Sequence, residues 1–185
     1  MIRELLQDTE ERMKGAVTSL ESDLAGYRTG RANPHLVDKV IVEMYGVEMP
    51  LNQMAVISVP EPQQIAIRPY DANALAAIER AIMKSDIGIM PNNDGKIIRL
   101  NIPRLTEERR RELSKLVGRR VENAKVAVRN VRRDAIKHID GEQKAKEISE
   151  DDAKKGEKDA TNLIHKYEKQ VDEALDAKTK EVLET

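Results

Sequence analysis

The stretch LTEERRRELSKLVGRRVENAKVAVRNVRRDAIKHI, residues 105–139, combines a helical pattern of apolar residues with dense positive charge. Its apolar residues recur every three or four positions, the spacing that places side chains on one face of an α-helix. They are Leu113, Leu116, Val117, Val121, Ala124, Val128, Val131, Ala135 and Ile139. Thr106 is a suitable N-cap, and Glu107 and Glu108 follow it in the first turn, where the helix dipole favours acids. The pattern predicts one long amphipathic helix that ends near residue 140.

Two more stretches with the same period lie at the ends of the chain. Residues 1–28 carry one apolar stripe, which stops before Gly30 and Pro34, residues that end helices. After a predicted loop at residues 140–148, Ser149 and Asp152 resemble a capping box, and a final helix follows with a nearly heptad seam. A helix with one apolar stripe is unstable alone, so the three stripes predict a three-helix bundle.

Between about residues 35 and 103 the period changes to two. Short β-branched runs, separated by Gly, Pro, Asn and Asp, predict strands within residues 37–44, 55–59, 63–69 and 96–103. One helix interrupts them, with Asp71 as its predicted N-cap, and residues 91–95 are predicted to form a turn. This pattern predicts a small β-rich module with one helix.

The predicted fold class is therefore α+β, a long three-helix bundle with a small β/α/β domain inserted after the first helix. We expect the bundle to comprise residues 1–29 and 105–185, and the inserted domain to comprise residues 31–103. Two short crossings would join them, and because few contacts cross such a boundary they are predicted to act as a hinge. The hinge residues are Thr29, Gly30, Arg31, Pro103, Arg104 and Leu105.

Positive charge is concentrated in one part of an almost neutral chain. The formal net charge is −1, yet residues 104–137 hold twelve Lys or Arg against five acids, and residues 138–185 hold nine against fourteen. A helical wheel places six basic residues roughly opposite the apolar stripe of the central helix: Arg111, Lys115, Lys125, Arg129, Arg132 and Arg133. Arg120 lies on the apolar side, where we expect it to snorkel or to pair with an acid of a neighbouring helix.

Two interpretations of this basic face remain open. Any bundle helix needs a solvated face, and Lys and Arg are good helix formers. However, arginine outnumbers lysine here and acids at i and i+4 are sparse, which favours a row of unpaired guanidinium groups that binds nucleic-acid phosphates. Because the chain has no Phe or Trp and only four Tyr, structured RNA recognised by shape and phosphate is the more suitable target.

Several classes of protein are excluded by what the sequence lacks. It contains no cysteine, no phosphate-binding glycine loop and no HExxH motif, and its three histidines, His35, His138 and His165, lack metal-ligand spacing. No apolar run is long enough to span a membrane, and the N-terminus has no signal-peptide pattern. We expect a cytoplasmic, non-enzymatic protein without cofactor or metal. The alternative is a structural helical bundle that recruits another helical protein.

Three motifs resemble those of the bacterial ribosome recycling factor family, also called ribosome-releasing factors: RTGRANP at 28–34, IPRLTEERRREL at 102–113 and AKVAVRNVRRDA at 124–135. The resemblance extends over the whole chain. It implies a three-helix bundle with an inserted β/α/β domain, in an L-shaped arrangement that mimics transfer RNA.

The resemblance also implies a function and a set of RNA-binding residues. Members of this family bind the post-termination ribosome as monomers through large-subunit ribosomal RNA. With elongation factor G, which hydrolyses GTP, they split the subunits and release mRNA and tRNA. Carried over by motif, the implied RNA-binding residues are Arg28, Arg31, Arg110, Arg129, Arg132 and Arg133.

Overall fold

The computed structural model describes residues 2–184, which form two compact units. The first unit comprises the described residues up to Tyr27 together with Glu107–Glu184, and the second comprises Arg28–Thr106. In chain order the elements are α1 (Ile2–Gly26), β1 (Ile41–Met44), β2 (Val47–Pro50), α2 (Leu51–Met54), β3 (Ala55–Glu61), β4 (Gln64–Pro69), α3 (Leu75–Lys84), β5 (Pro91–Asn93), β6 (Ile98–Asn101), α4 (Glu107–Lys144) and α5 (Glu150–Glu184).

Helices α1, α4 and α5 pack against one another through the apolar stripes predicted from the sequence. Met13 and Leu20 of α1, Val128 of α4 and Val171 of α5 are fully buried in one continuous cluster. Burying an aliphatic side chain of this size stabilises a fold by about 1.5–3 kcal/mol, so these stripes hold the bundle together. Leu116 departs from the predicted stripe and remains 36% exposed.

Helix α4 continues beyond its predicted end near residue 140, so the predicted loop at 140–148 is wrong over its first half. The helix ends in a Schellman arrangement, in which the N–H of Glu147 donates to the carbonyl of Glu142 and that of Lys146 donates to Gln143. Lys146 has a φ of 61° at the position where glycine is usual. Because a lysine takes that position, the sequence contains no recognisable stop signal there.

The start of α5 agrees with the predicted cap. The Ser149 hydroxyl accepts a hydrogen bond of 3.1 Å from the N–H of Asp152, and α5 begins at the next residue, Glu150. Gly156, nearly two turns farther on, is buried against the other two helices. A Cβ there would lie 3.1 Å from Cδ1 of Ile139 and 3.4 Å from Cγ2 of Ile2, so glycine permits close packing of α5.

The second unit consists of a two-stranded hairpin and an antiparallel four-stranded sheet of order β3-β4-β6-β5. One face of the sheet packs with α3 and the hairpin around a core that includes Ile65, Ile67, Ile78 and Ile98, all fully buried. Asp71 is an N-cap, as predicted, although it caps a 3₁₀ turn, Ala72–Ala74, that leads into α3. The described unit is thus the expected β-rich module with one long helix.

Its strand boundaries differ from prediction in three places. Pro34–Val37 is a 3₁₀ helix, so β1 begins at Ile41 rather than near residue 37. Strand β2 was not predicted, and β5 lies where a turn was predicted. Both are short segments that contain proline and carry a weak strand signal of their own. They become strands because each pairs with its neighbour in sequence, β2 with β1 and β5 with β6. Within residues 2–184, no helix has both the length and the hydropathy required to cross a bilayer.

Candidate nucleic-acid interface

The basic residues of α4 are paired with acids far more often than the sequence predicts. Five of them make ion pairs: Arg109 with Glu112, Arg111 with Glu107, Arg120 with Asp23, Lys125 with Asp172, and Arg129 with both Glu168 and Glu122. The prediction of an unpaired arginine row is therefore wrong as a general description of α4. Three of the pairs join α4 to another helix, where acids distant in sequence become neighbours.

Arg120 behaves as predicted for a basic residue on the apolar side of the helix. Its Nε donates to a carboxylate oxygen of Asp23 at 2.5 Å, and its Nη2 donates to the hydroxyl of Ser19 at 3.2 Å. Both partners lie on α1, and the Arg120 side chain is only 20% exposed. Arg120 thus cross-links α4 to α1 and takes no part in an exposed basic face.

Lys125 was predicted to face solvent, and this prediction is wrong. Its Nζ lies 2.9 Å from Asp172 of α5, and its side chain is 24% exposed. The hydrogen bond to Asp172 raises the pKa of Lys125 above its usual value of 10.5. Arg129 also leans toward α5, with its Nε 3.4 Å from Glu168, but it remains 53% exposed.

Arg132 is held by a neutral group of the same neighbouring helix. Its Nε and Nη2 both donate to the hydroxyl oxygen of Thr161, at 3.2 and 3.1 Å. The Thr161 hydroxyl donates in turn to the carbonyl of Glu157 at 3.0 Å, so its orientation is fixed. Because no carboxylate takes part, no neighbouring negative charge compensates the guanidinium, while its position is restricted.

Arg133, the next residue, is exposed to solvent as predicted. Its side chain has no ion-pair or hydrogen-bonding partner within residues 2–184. The three neighbouring arginines of α4 therefore differ in their contacts. Acids partly neutralise Arg129, a hydroxyl positions Arg132, and Arg133 is unpaired. A phosphate would meet the largest uncompensated charge at the last two.

Arg110 lies at the other end of α4 and is half-buried. Its Nε donates at 3.1 Å to the carbonyl of Val182, one of the last carbonyls of α5. A cation at a helix C-terminus satisfies an unpaired carbonyl and interacts favourably with the helix dipole. The contact gives Arg110 a structural role in joining α4 to the end of α5.

Arg28 and Arg31 belong to the second unit, and both are exposed. Nη1 of Arg28 donates to the carbonyl of Ile87 at 3.0 Å. The backbone N–H of Arg31 donates to the hydroxyl of the buried Thr29 at 3.2 Å. These contacts anchor the segment that follows α1 within its own unit.

Thr161 is the residue of this region that sequence reasoning missed. A threonine inside a long polar helix carries no local signal, and its contact with Arg132 depends on the alignment of α4 with α5. Among the described residues, no group of three His, Asp or Glu side chains is arranged to hold a metal ion. His35 and His138 each lie beside one acid, Asp38 at 2.7 Å and Glu142 at 3.2 Å.

Comparison with protein families finds a match to ribosome recycling factor over residues 20–183. The chain is 50% identical to the ribosome-recycling factor of Syntrophomonas wolfei over 184 residues, with all of both chains covered. It is also 50% identical to that of Halalkalibacterium halodurans over the same length, again with full coverage of both.

Two solved structures have a similar fold. One is a solution structure of the ribosome recycling factor, with a TM-score of 0.76 and 40% identity, covering 100% of this chain and 98% of the other. The second is a T. thermophilus ribosome recycling factor, described with E. coli elongation factor G on the E. coli post-termination complex. Its TM-score is 0.65 at 39% identity, with 99% of each chain covered.

Proposed function

Because the chain belongs to the ribosome recycling factor family, we propose that it binds large-subunit ribosomal RNA through arginines of α4. Its function is ribosome recycling: it acts on the post-termination ribosome together with elongation factor G and GTP, and splits the subunits to release mRNA and tRNA. It is a translation factor and not an enzyme, and elongation factor G hydrolyses the GTP. We place this activity in the cytoplasm, with the ribosomes.

The observation that supports this proposal most strongly is the state of Arg132. Its guanidinium is held by a neutral hydroxyl, and the exposed Arg133 follows it in sequence. A pre-organised, uncompensated guanidinium loses little freedom when it makes a bidentate contact with phosphate. We therefore assign the central RNA contact to Arg132 and Arg133.

The other four proposed RNA-binding residues contribute in different ways. Arg129 would have to exchange its partial neutralisation by Glu168 and Glu122 for a phosphate contact. Arg110 supports the end of α5 through Val182 and would contact RNA only with its remaining N–H groups. Arg28 and Arg31 are exposed in the second unit, and we propose that they contact RNA near the crossing between the units.

We further propose that the units move relative to each other as domains, with hinges at residues 29–31 and 103–105. This is supported by the separate hydrophobic core of each unit. The chain has no cysteine, so Val126→Cys and Asn52→Cys would create two unique dye sites, one in each unit, both at exposed positions. A distance distribution that changes when elongation factor G binds the ribosome-bound protein supports a hinge, and an unchanged distribution contradicts it.

Salt dependence tests the RNA contact directly. Binding to isolated large subunits should weaken steeply between about 50 and 200 mM salt, because each phosphate contact releases counterions. Arg132→Ala should bind more weakly with a shallower slope, and Lys158→Ala, at an exposed lysine of α5, should match the wild type. A helical interaction protein without an RNA contact would instead bind its partner with little dependence on salt.

A further inference from the structure

Four basic residues form a line along α4 on the side opposite its buried stripe. They are Lys115, Arg119, Arg133 and Lys137, and we call them the outer row. At about 100° per residue they lie within about 40° of one another around the helix axis. All four are exposed. The outer row therefore faces away from the bundle core and from the seam where Arg132 meets Thr161.

The outer row differs from most other cations of α4 in its lack of partners. Within residues 2–184, none of its four side chains makes an ion pair or donates a hydrogen bond to another residue. By contrast, Arg109, Arg111, Arg120, Lys125 and Arg129 are each paired with a carboxylate. Four cations without a carboxylate partner thus lie on one line of the helix.

The spacing and surroundings of the outer row suit a linear polyanion. Lys115 and Lys137 are separated by 22 positions in sequence, which corresponds to about 33 Å along a helix. The exposed large aliphatic residues between them are Leu116, at 36%, and Val126, at 45%, ten positions apart and therefore not a cluster. A protein interface of this length would need a cluster of buried aromatic or aliphatic anchors, whereas a phosphate backbone needs only spaced cations.

We propose that the outer row is a second RNA contact line, which binds the phosphate backbone of ribosomal RNA through Lys115, Arg119 and Lys137 in addition to Arg133. This inference rests on the proposed function, because it assumes that the ribosome is the target. It extends the RNA-binding face of α4 from the side near α5 to the outer side. Recognition there is by charge and spacing and carries no sequence specificity.

Tethered RNA cleavage tests the position of the RNA. Since the chain lacks cysteine, Val126→Cys places a unique iron-chelate probe inside the outer row without removing a charge. Asn162→Cys, at an exposed position of α5, is the matched control. Hydroxyl-radical cleavage of large-subunit RNA from position 126 is expected to exceed that from position 162 severalfold. Equal cleavage from both, or none from 126, would overturn the proposal.

A charge-neutralised variant tests the contribution of the new residues. The triple substitution K115Q/R119Q/K137Q leaves Arg132 and Arg133 in place, and K155Q/K158Q/K169Q on α5 removes the same total charge from exposed positions. The first variant should reduce the slope of log affinity against log salt by about 2, while the control changes it by less than about 0.5. Equal slopes for the two variants would overturn the outer row.

Measurements on the wild-type protein distinguish failure of the outer row from failure of the proposed function. If it binds large subunits with a steep salt slope and both triple variants behave alike, only the outer row fails. If the wild type does not bind large subunits at all, the proposed function fails and the outer row fails with it.

Discussion

Thr161 of α5 accepts two hydrogen bonds from Arg132 of α4, at 3.2 and 3.1 Å, and donates its own proton to the carbonyl of Glu157. Both lone pairs and the proton of the hydroxyl therefore take part in hydrogen bonds. Arg129 and Lys125, on the same side of α4, are held by carboxylates instead. The neutral acceptor leaves the charge of Arg132 available to a ligand.

Replacing Thr161 tests whether this contact positions the arginine. Thr161→Val keeps the shape but removes the acceptor, and we expect affinity for large subunits to fall about threefold to tenfold, the effect of losing one or two hydrogen bonds. Thr161→Ser retains the hydroxyl and should bind like the wild type. The measurement is the dissociation constant at fixed salt.

A double-mutant cycle supplies the control for that prediction. If Thr161 acts through Arg132, adding Thr161→Val to Arg132→Ala should change affinity no further. Additive losses in the double variant would show that Thr161 affects binding by another route.

Gly156 is predicted to resist substitution although it lies inside a helix. An alanine there would gain up to about 1 kcal/mol of helix propensity, but its Cβ would lie 3.1 Å from Cδ1 of the fully buried Ile139. Overpacking of this kind typically costs about 1–3 kcal/mol, so we expect Gly156→Ala to lower the free energy of unfolding. Gly118→Ala in α4, where nothing lies within 4 Å, should raise it instead. Urea denaturation of both variants measures the difference.

Shortening Ile139 should relieve the same clash. Ile139→Val alone is expected to cost about 0.5–1.5 kcal/mol. Combined with Gly156→Ala, it should cost less than the sum of the two single changes, because the methyl group that meets the new Cβ has been removed. A strictly additive pair would refute a direct contact.

Glu10 makes the bundle sensitive to acid. It accepts hydrogen bonds from Lys166 at 3.0 Å and from Tyr167 at 2.9 Å, and these bonds, that of Lys166 most, hold its pKa below the usual 4.5. A lowered carboxyl pKa stabilises the fold above the unfolded-state value, and this stabilisation is lost as pH falls through the lowered pKa. Because the Glu10 side chain is 39% exposed, the contribution should not exceed about 1 kcal/mol.

Denaturant titrations between about pH 6 and pH 3 check this effect. The wild type should lose more free energy of unfolding over that range than Glu10→Gln, whose side chain does not titrate. Glu11→Gln, at an exposed neighbouring position, should lose as much as the wild type. Parallel curves for the wild type and Glu10→Gln would show that the α1–α5 contact contributes nothing.

The long elements could be predicted from the sequence because their signals are local. Apolar periodicity located α1, α4 and α5, and Ser149 marked the start of α5. Features whose residues carry no recognisable local signal could not be predicted. Strand β5 forms by pairing with β6, and Lys146, just after the end of α4, takes the left-handed conformation in which glycine is usual.

The same division applies to the candidate site. Sequence identified the basic character of α4 and the exposure of Arg133, both of which follow from helix period and composition. It could not show that Asp23, Glu168 and Asp172 neutralise particular cations, since those acids lie on other helices. Both RNA proposals depend on the distinction between paired and unpaired cations. That distinction can be seen only in the folded bundle, where the helices lie side by side.

The most direct test of the account follows the splitting of post-termination ribosomes by light scattering, with elongation factor G and GTP present. It compares the wild type with Arg132→Ala and with Lys158→Ala, after equal helix content has been confirmed by circular dichroism. We predict that splitting requires the protein, that Arg132→Ala slows it at least about tenfold, as expected for loss of a charged hydrogen bond, and that Lys158→Ala has no effect. Splitting by Arg132→Ala at the wild-type rate would contradict the assignment of Arg132 to the RNA contact.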